Sequence, residues 1–358
     1  MTLRSNLPTL PFAPLLLIAP FFLWGTAMVA MKGVMLHTTP WFLAGVRLVP
    51  AGLLVLLAAK WMGRSQPSSW RAWAWIGAFA VVDGTLFQGF LAQGLARTGA
   101  GLGSVMIDSQ PLAVALLALV LFGERIGLWG WLGLALGVAG ISLLGLPDPW
   151  IVALFHGKLA GVLPAGENLV QQLFESGEWL MLLAALSMAA GTVMIPMVSR
   201  HVDPVVATGW HMVIGGLPLF GLSAIAEEQQ WQALTGFDWL ALTYATVFGS
   251  AIAYGLFFYF ASQGNLTSLS ALTFLTPVFA LLFGNLFLAE VLSPIQWGGV
   301  GLTLVSIYLI NQRDVLEGML RRSQAKSAVS FLEESAAQPV PVAMAETEPE
   351  IASSEIAS

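Results

Sequence analysis

Apolar residues run along this chain in blocks of about 20, separated by short polar stretches that carry most of its charges. A helix needs about 20 largely apolar residues to cross a hydrocarbon layer ~30 Å thick. Ten stretches meet that requirement: 13–35, 41–60, 73–96, 101–123, 127–146, 179–199, 204–225, 239–262, 266–289 and 294–312. Strands of a membrane barrel would instead alternate over segments of about ten residues, and no such alternation is present. The pattern predicts an all-α polytopic membrane protein with ten transmembrane helices. Connections are tight, as between Lys60 and Trp73, so successive helices are expected to be antiparallel neighbours. The segment 147–178 departs from this. There Trp150 to Phe155, then Leu169, Val170, Leu173 and Phe174, read either as a helix lying in the membrane interface or as a variable loop. Arg4 ahead of the first block resembles the start of a signal peptide, but the block is too long and lacks a small-residue cleavage site, so it reads as a retained helix.

Composition narrows the class further. The chain is 57% hydrophobic and 9% charged, with a mean hydropathy of +0.80, whereas a soluble domain is about a quarter charged. A cytosolic enzyme, a nucleic-acid binder and a disordered protein are thereby excluded. The net charge of −6 is uneven. Six of the 20 acidic residues (Glu333, Glu334, Glu346, Glu348, Glu350 and Glu355) lie beyond Lys326, leaving 14 bases and 14 acids before it. The expected domains are an N-terminal stretch 1–12, a body to 312, and an acidic tail 313–358 that, from about Ser327, is too polar to fold alone. With the N-terminus inside, ten basic residues (Arg4, Lys60, Arg64, Arg71, Arg125, Arg200, Arg313, Arg321, Arg322 and Lys326) fall on the cytoplasmic side and two, Arg97 and Lys158, on the other. That asymmetry predicts both termini in the cytoplasm.

A shift of 166 residues superimposes the first five helices on the second five. Trp73 falls on Trp239, Pro111 on Pro277, Glu124 on Glu290 and Trp131 on Trp297; Gly25 and Thr26 fall on Gly191 and Thr192, Met28 on Met194, Met31 on Met197 and Ser104 on Ser270. Trp, Pro and Glu matches at equivalent helix positions are hard to obtain by chance. Five is odd, so the second copy is expected upside down, giving inverted repeats 13–146 and 179–312, an arrangement found in many secondary transporters.

Trp24 to Gly33, Arg47 on the second helix, and the units Pro111 to Glu124 and Pro277 to Glu290 resemble the EamA family of the drug/metabolite transporter superfamily. Phe87 to Gly94 and Ser104 to Pro111 are similar to a walls-are-thin-related subgroup of cyanobacteria and plant plastids. The resemblance implies a central cavity lined mainly by helices 1, 3, 4, 6, 8 and 9, and alternating access that moves small metabolites. It implies no particular substrate. The long 147–178 insertion and the acidic tail depart from the compact family pattern.

Four charges fall inside predicted spans: Lys32, Arg47, Asp83 and Asp108. A charge near the bilayer centre costs roughly 2.5 to 3.5 kcal/mol on insertion scales, so each needs a partner or a function. From their depths, Arg47 or Lys32 is expected to pair with Asp108 as a structural ion pair, and Lys32 can snorkel. Asp83, near the midplane, is expected to face the cavity as a substrate-amine or proton site, or to hydrogen-bond a neighbouring helix. None has a counterpart in the second half, where the shift lands on Val198, Val213, Gly249 and Phe274. His211, on a helix expected to be peripheral, reads as a structural histidine in preference to a proton relay. Pro111 and Pro277, inside helices, are expected to free the carbonyls of Ile107 and Thr273 and act as hinges. Ser104 and Asp108 share a face with Pro111, as Ser270 and Thr273 do with Pro277. Trp24, Gln88, Gln93, Tyr244 and Tyr254 would suit an aromatic or amphipathic metabolite.

The expected function is a secondary transporter exporting small organic metabolites; the alternative is a membrane scaffold or sensor using the 147–178 loop and the tail. The four scattered histidines lack a His-Glu-x-x-His motif, cysteine is absent, and there is no phosphate-binding loop, so no enzyme activity, metal, cofactor or ATP drive is expected. Expected partners are a small-molecule substrate and the lipid bilayer, with a coupling proton and a homodimer left open; no nucleic acid is expected. The expected location is a bacterial, or cyanobacterial, cytoplasmic membrane.

Overall fold

A computed structural model of the chain describes residues 13–97, 107–145, 151–153, 156, 177–263, 266–288 and 293–337. Among them every regular element is helical: α1 (Ala13–Val34), α2 (Pro40–Trp61), α3 (Trp70–Arg97), α4 (Gln110–Phe122), α5 (Gly127–Gly145), α6 (Gly177–Val198), α7 (Pro204–Ala226), α8 (Gly236–Ser262), α9 (266–288) and α10 (Pro294–Ala337). Six of these, α1, α2, α3, α6, α7 and α8, are long and apolar enough to cross a membrane. Their outward faces keep large apolar side chains exposed, such as Leu53, Ile225 and Leu240, as lipid contact requires. The chain is an integral membrane protein. Most of the 147–178 segment, Ser104 and Glu290 lie outside the described residues.

Local chemistry sets the helix starts. Pro40 opens α2, and the Glu227 carboxylate, just past the end of α7, accepts hydrogen bonds from the backbone N–H groups of Trp41 (2.8 Å) and Phe42 (3.0 Å) and from the Thr39 hydroxyl (2.7 Å). Asp203 caps α7 ahead of Pro204, and Thr235 with Asp238 forms a capping box on α8.

Three findings differ from the sequence pattern. First, α3 and α8 are each interrupted by π-helix, over Ala80–Phe87 and Val247–Ile252. Second, Pro111 does not kink a continuous helix. The chain turns at Asp108 and Ser109, and α4 starts afresh at Gln110 with Pro111 in its first turn, where a missing N–H costs nothing. In α9 a 3₁₀ turn, Leu272–Phe274, precedes the α-helical stretch that begins at Leu275, so Pro277 again sits in a first turn. Third, α10 runs on to Ala337, well past the expected end at 312, because 313–337 is rich in Leu, Glu, Arg and Ala, which favour helix even where it is polar. Met1–Asp314 and Val315–Ser358 are separate compact units, and in the second 315–337 is helical.

The packing repeats itself when each helix is exchanged for the one five places away. α1 packs on α8 and α9, and α6 packs on α3 and α4; α2 packs on α8, and α7 on α3; α2 meets α7, and α4 meets α9. Single contacts show the same reciprocity. A methyl on Gly140 would lie 3.0 Å from the Gly299 carbonyl oxygen, and one on Gly133 would lie 3.1 Å from that of Ser306. Since 133 and 299, and 140 and 306, are equivalent under the 166-residue shift, these are one contact made twice, the mark of a two-fold relation between the halves. Glycines allow this closeness. On α2 and α7, a Cβ on Gly52 would sit 2.7 Å from the Gly209 carbonyl oxygen, so the helices touch backbone to backbone.

Candidate functional site

Arg47, in the middle of α2, is 3% exposed and reaches the interrupted parts of two other helices. Its Nη1 donates to the Ser250 hydroxyl in the π segment of α8 (3.2 Å), and its Nη2 to Oε1 of Gln88, the residue that follows the π segment of α3. Gln88 Nε2 in turn donates to the Tyr254 hydroxyl at 2.8 Å. Gln88 and Tyr254 are 166 residues apart and therefore equivalent in the two halves, so their contact places this cluster on the two-fold axis. Of the two cations expected to pair with Asp108, Arg47 turns to Gln88 and Ser250. A guanidinium offers five donors, and here one amide oxygen and one hydroxyl take two of them in place of a carboxylate.

Aromatic rings close over the cluster. The Trp24 ring lies 5.0 Å from Tyr254 and 5.1 Å from Phe257 between centroids, and Tyr254 lies 5.8 Å from Phe258. The Nε1 donor of Trp24 and Nε of Arg47 are buried without a hydrogen-bond partner among the described residues. A second polar contact, Gln110 Nε2 to Thr192 Oγ1 at 3.2 Å, ties α4 to α6, and Thr26, the mate of Thr192, bonds the Tyr244 hydroxyl at 2.7 Å, tying α1 to α8.

Asp83 stands in the π segment of α3, fully buried, with Oδ2 3.2 Å from Nε2 of His211 on α7. His211 is itself 1% exposed and lies between the rings of Phe79 (4.2 Å) and Phe258 (5.5 Å). The histidine read as peripheral is thus the partner of the aspartate. Their contact spans 128 residues, and nothing local in the sequence signals it. Tyr254 is within electrostatic range of both Asp83 and Arg47, so the pair and the axial cluster adjoin.

The other candidates are placed as follows. Asp108 and Pro111 are buried at the start of α4, and Thr273 and Pro277 are buried at the matching interruption of α9, where the Thr273 hydroxyl donates to the Ser270 carbonyl at 2.7 Å. Lys32 is exposed near the end of α1. A groove of about 270 Å³ between α2, α3, α6 and α7 is lined mainly by Trp41, Leu86, Phe90, Leu219 and Leu222; of the aromatic and amide candidates it includes Gln93. Ser250, the Glu227 cap and both π segments escaped the sequence. The one available sign was that Gly84 and Ser250, small residues in mid-helix, are equivalent under the repeat.

Comparison with known proteins agrees with this architecture. The model of the EamA-like transporter family matches residues 11–146 and 175–312. A protein named as an uncharacterized transporter of Synechocystis is 64% identical over 321 residues, covering 90% of this chain and 96% of that one. A chloroplastic WAT1-related protein of Arabidopsis thaliana is 54% identical over 82% of this chain and 68% of its own. A solved crystal structure with 18% identity superimposes with a TM-score of 0.67, covering 82% of this chain and 94% of that one, which is a likeness of fold. With a paired family match over most of its length and a near relative matched nearly end to end, this chain belongs to the EamA-like transporter family.

Proposed function

We propose that the chain is a secondary transporter that exports small organic metabolites by alternating access of two inverted five-helix repeats, 13–146 and 179–312, together ten transmembrane helices. One observation carries the reading: the halves interrupt their helices at matching positions. The π segments of α3 and α8, and the breaks in α4 and α9, correspond under the 166-residue shift, and the π segments adjoin the axial cluster. Interrupted helices are costly in lipid and persist where backbone lines a site or must bend. Substrate would sit against Trp24, Gln88 and Tyr254, where the unpaired Trp24 and Arg47 donors await an acceptor. Asp108 and Pro111 with Ser104, and Thr273 with Pro277, would gate it from opposite sides. The rings favour an aromatic or amphipathic molecule.

The test is counterflow in proteoliposomes preloaded with L-phenylalanine, uracil or 4-hydroxybenzoate. Saturable exchange of at least one, weakened by Trp24→Ala, is expected; no saturable exchange of any would refute the transport reading. Removing residues 327–358 separates it from a scaffold or sensor role, since transport predicts retained flux.

A further inference from the structure

We propose that Asp83 and His211 together form a proton-carrying site that couples each transport cycle to the movement of one proton. The inference rests on the transport reading above and names its coupling ion.

The fold does not require the pair. Under the 166-residue shift Asp83 corresponds to Gly249 and His211 to Gly45, so the equivalent crossing in the other half, α2 on α8, packs with no ionisable group at either place. Apolar packing can replace a buried ion pair with little loss of stability, and here the protein itself makes that replacement. A pair kept on one side only is therefore explained by chemistry and not by packing.

Its hydrogen bonding is also incomplete. Both carboxylate oxygens of Asp83 and Nδ1 of His211 are buried with no hydrogen-bond partner among the described residues, so the 3.2 Å approach of Oδ2 to Nε2 is a charge contact without hydrogen-bond geometry. The pair balances electrically only when it holds one exchangeable proton, as carboxylate with imidazolium or as carboxylic acid with neutral imidazole. Removing that proton strands a negative charge among Phe79, Phe258 and the backbone of α6; adding a second strands a positive one. Either state is costly in a dry site and is relieved only by water. The closed packing seen here thus accepts the singly protonated pair, and the others favour separation of α3 from α6 and α7.

The surroundings convert that preference into coupling. Asp83 belongs to the first half, whereas Gly191 on α6 and His211 on α7 belong to the second, and a methyl at Gly191 would lie only 2.7 Å from Asp83 Cβ. Relative motion of the halves must therefore open or close this contact. Among the described residues, Tyr254 on α8 is the other titratable group within electrostatic range of Asp83, Arg47 on α2 lies within range of Tyr254, and α6 presents Gly191. Arg47 is held by Gln88 and Ser250, and the Tyr254 hydroxyl by Gln88, which leaves the proton with Asp83 and His211. The proton is taken from water on one side and released to water on the other, with no bond to substrate made or broken.

The experiment uses the full chain in proteoliposomes with pyranine in the lumen, and L-phenylalanine, uracil and 4-hydroxybenzoate as probes. For any probe that shows counterflow, the wild type should change lumen pH during net flux, and its counterflow rate should vary several-fold between about pH 5 and 8. Asp83→Asn and His211→Gln should lose both the lumen pH change and the pH dependence, whatever rate remains. If either variant fails to fold, the other and the wild type still decide. A probe that shows counterflow but whose net flux leaves the lumen pH unchanged in the wild type, or whose pH dependence is kept in both variants, overturns the proton site and leaves the transport reading standing. No counterflow of any probe removes the transport reading, and the proton site with it.

Discussion

Alanine at Gly84 places a methyl where two backbones already meet. On α3 its Cβ would lie 2.8 Å from Gly215 Cα and 2.8 Å from the His211 carbonyl oxygen, both on α7. Ordinary contact begins at 3.4 Å, so the helices would have to part by about 0.6 Å, and no flexible side-chain end is available to yield instead. Overpacking of this kind costs about 1 to 3 kcal/mol, offset by about 0.5 to 1 kcal/mol from replacing glycine in a helix. The net loss is about 0 to 2.5 kcal/mol, or a fall in Tm of up to roughly 10 °C at ~2 to 4 °C per kcal/mol. Gly77 on the same helix provides the opposite sign. Nothing lies within 4 Å of a methyl there, so Gly77→Ala should raise Tm by roughly 1 to 4 °C. Thermal unfolding followed by the fluorescence of the 14 tryptophans reads both. Gly84→Ala rising with Gly77→Ala would refute the close crossing, and with it the account of how α3 is held against α7.

Other outcomes follow from the same geometry. Tyr254→Phe leaves the buried Gln88 Nε2 without its acceptor, a loss of about 1 to 3 kcal/mol; the half-saturation concentration in counterflow should rise about tenfold for each 1.4 kcal/mol that bears on binding. Glu227→Ala removes three hydrogen bonds at the start of α2 and should cost about 1 to 2 kcal/mol, with Glu227→Gln costing less because an amide oxygen still accepts; comparative Tm values check this. Glu124→Ala removes the 2.9 Å bond from Arg313 Nη2 that joins the end of α4 to α10, and a loss of about 1.5 to 3 kcal/mol should appear in thermal unfolding. An unchanged Tm would show that this partly exposed pair adds nothing.

Much of the fold was legible because length and apolarity are local properties. The long runs that became α1, α2, α3, α6, α7 and α8 were visible as blocks, and the cost of a charge in hydrocarbon marked Arg47 and Asp83 as special. Their partners were not visible. Arg47 meets Ser250 across 203 residues, and Asp83 meets His211 across 128, and no spacing rule reaches that far. The π segments were hidden for a different reason. They shift the backbone hydrogen bonds by one residue without disturbing an apolar pattern, so Ala80–Phe87 and Val247–Ile252 read as ordinary helix. Pro111 was legible as an interruption, but only the turn at Asp108 and Ser109 shows that it starts a helix and does not bend one.

The sequence by itself determined that this chain lives in a membrane, that it is built twice from one plan, and that its second copy lacks the buried charges of the first. Those conclusions rest on composition and on the 166-residue shift, which establish which positions are equivalent. Equivalence does not say which positions touch. Only the tertiary structure brought Gln88 onto its own mate Tyr254, set Arg47 beside them, and turned Asp83 toward His211, because an axis exists only once two halves have packed around it.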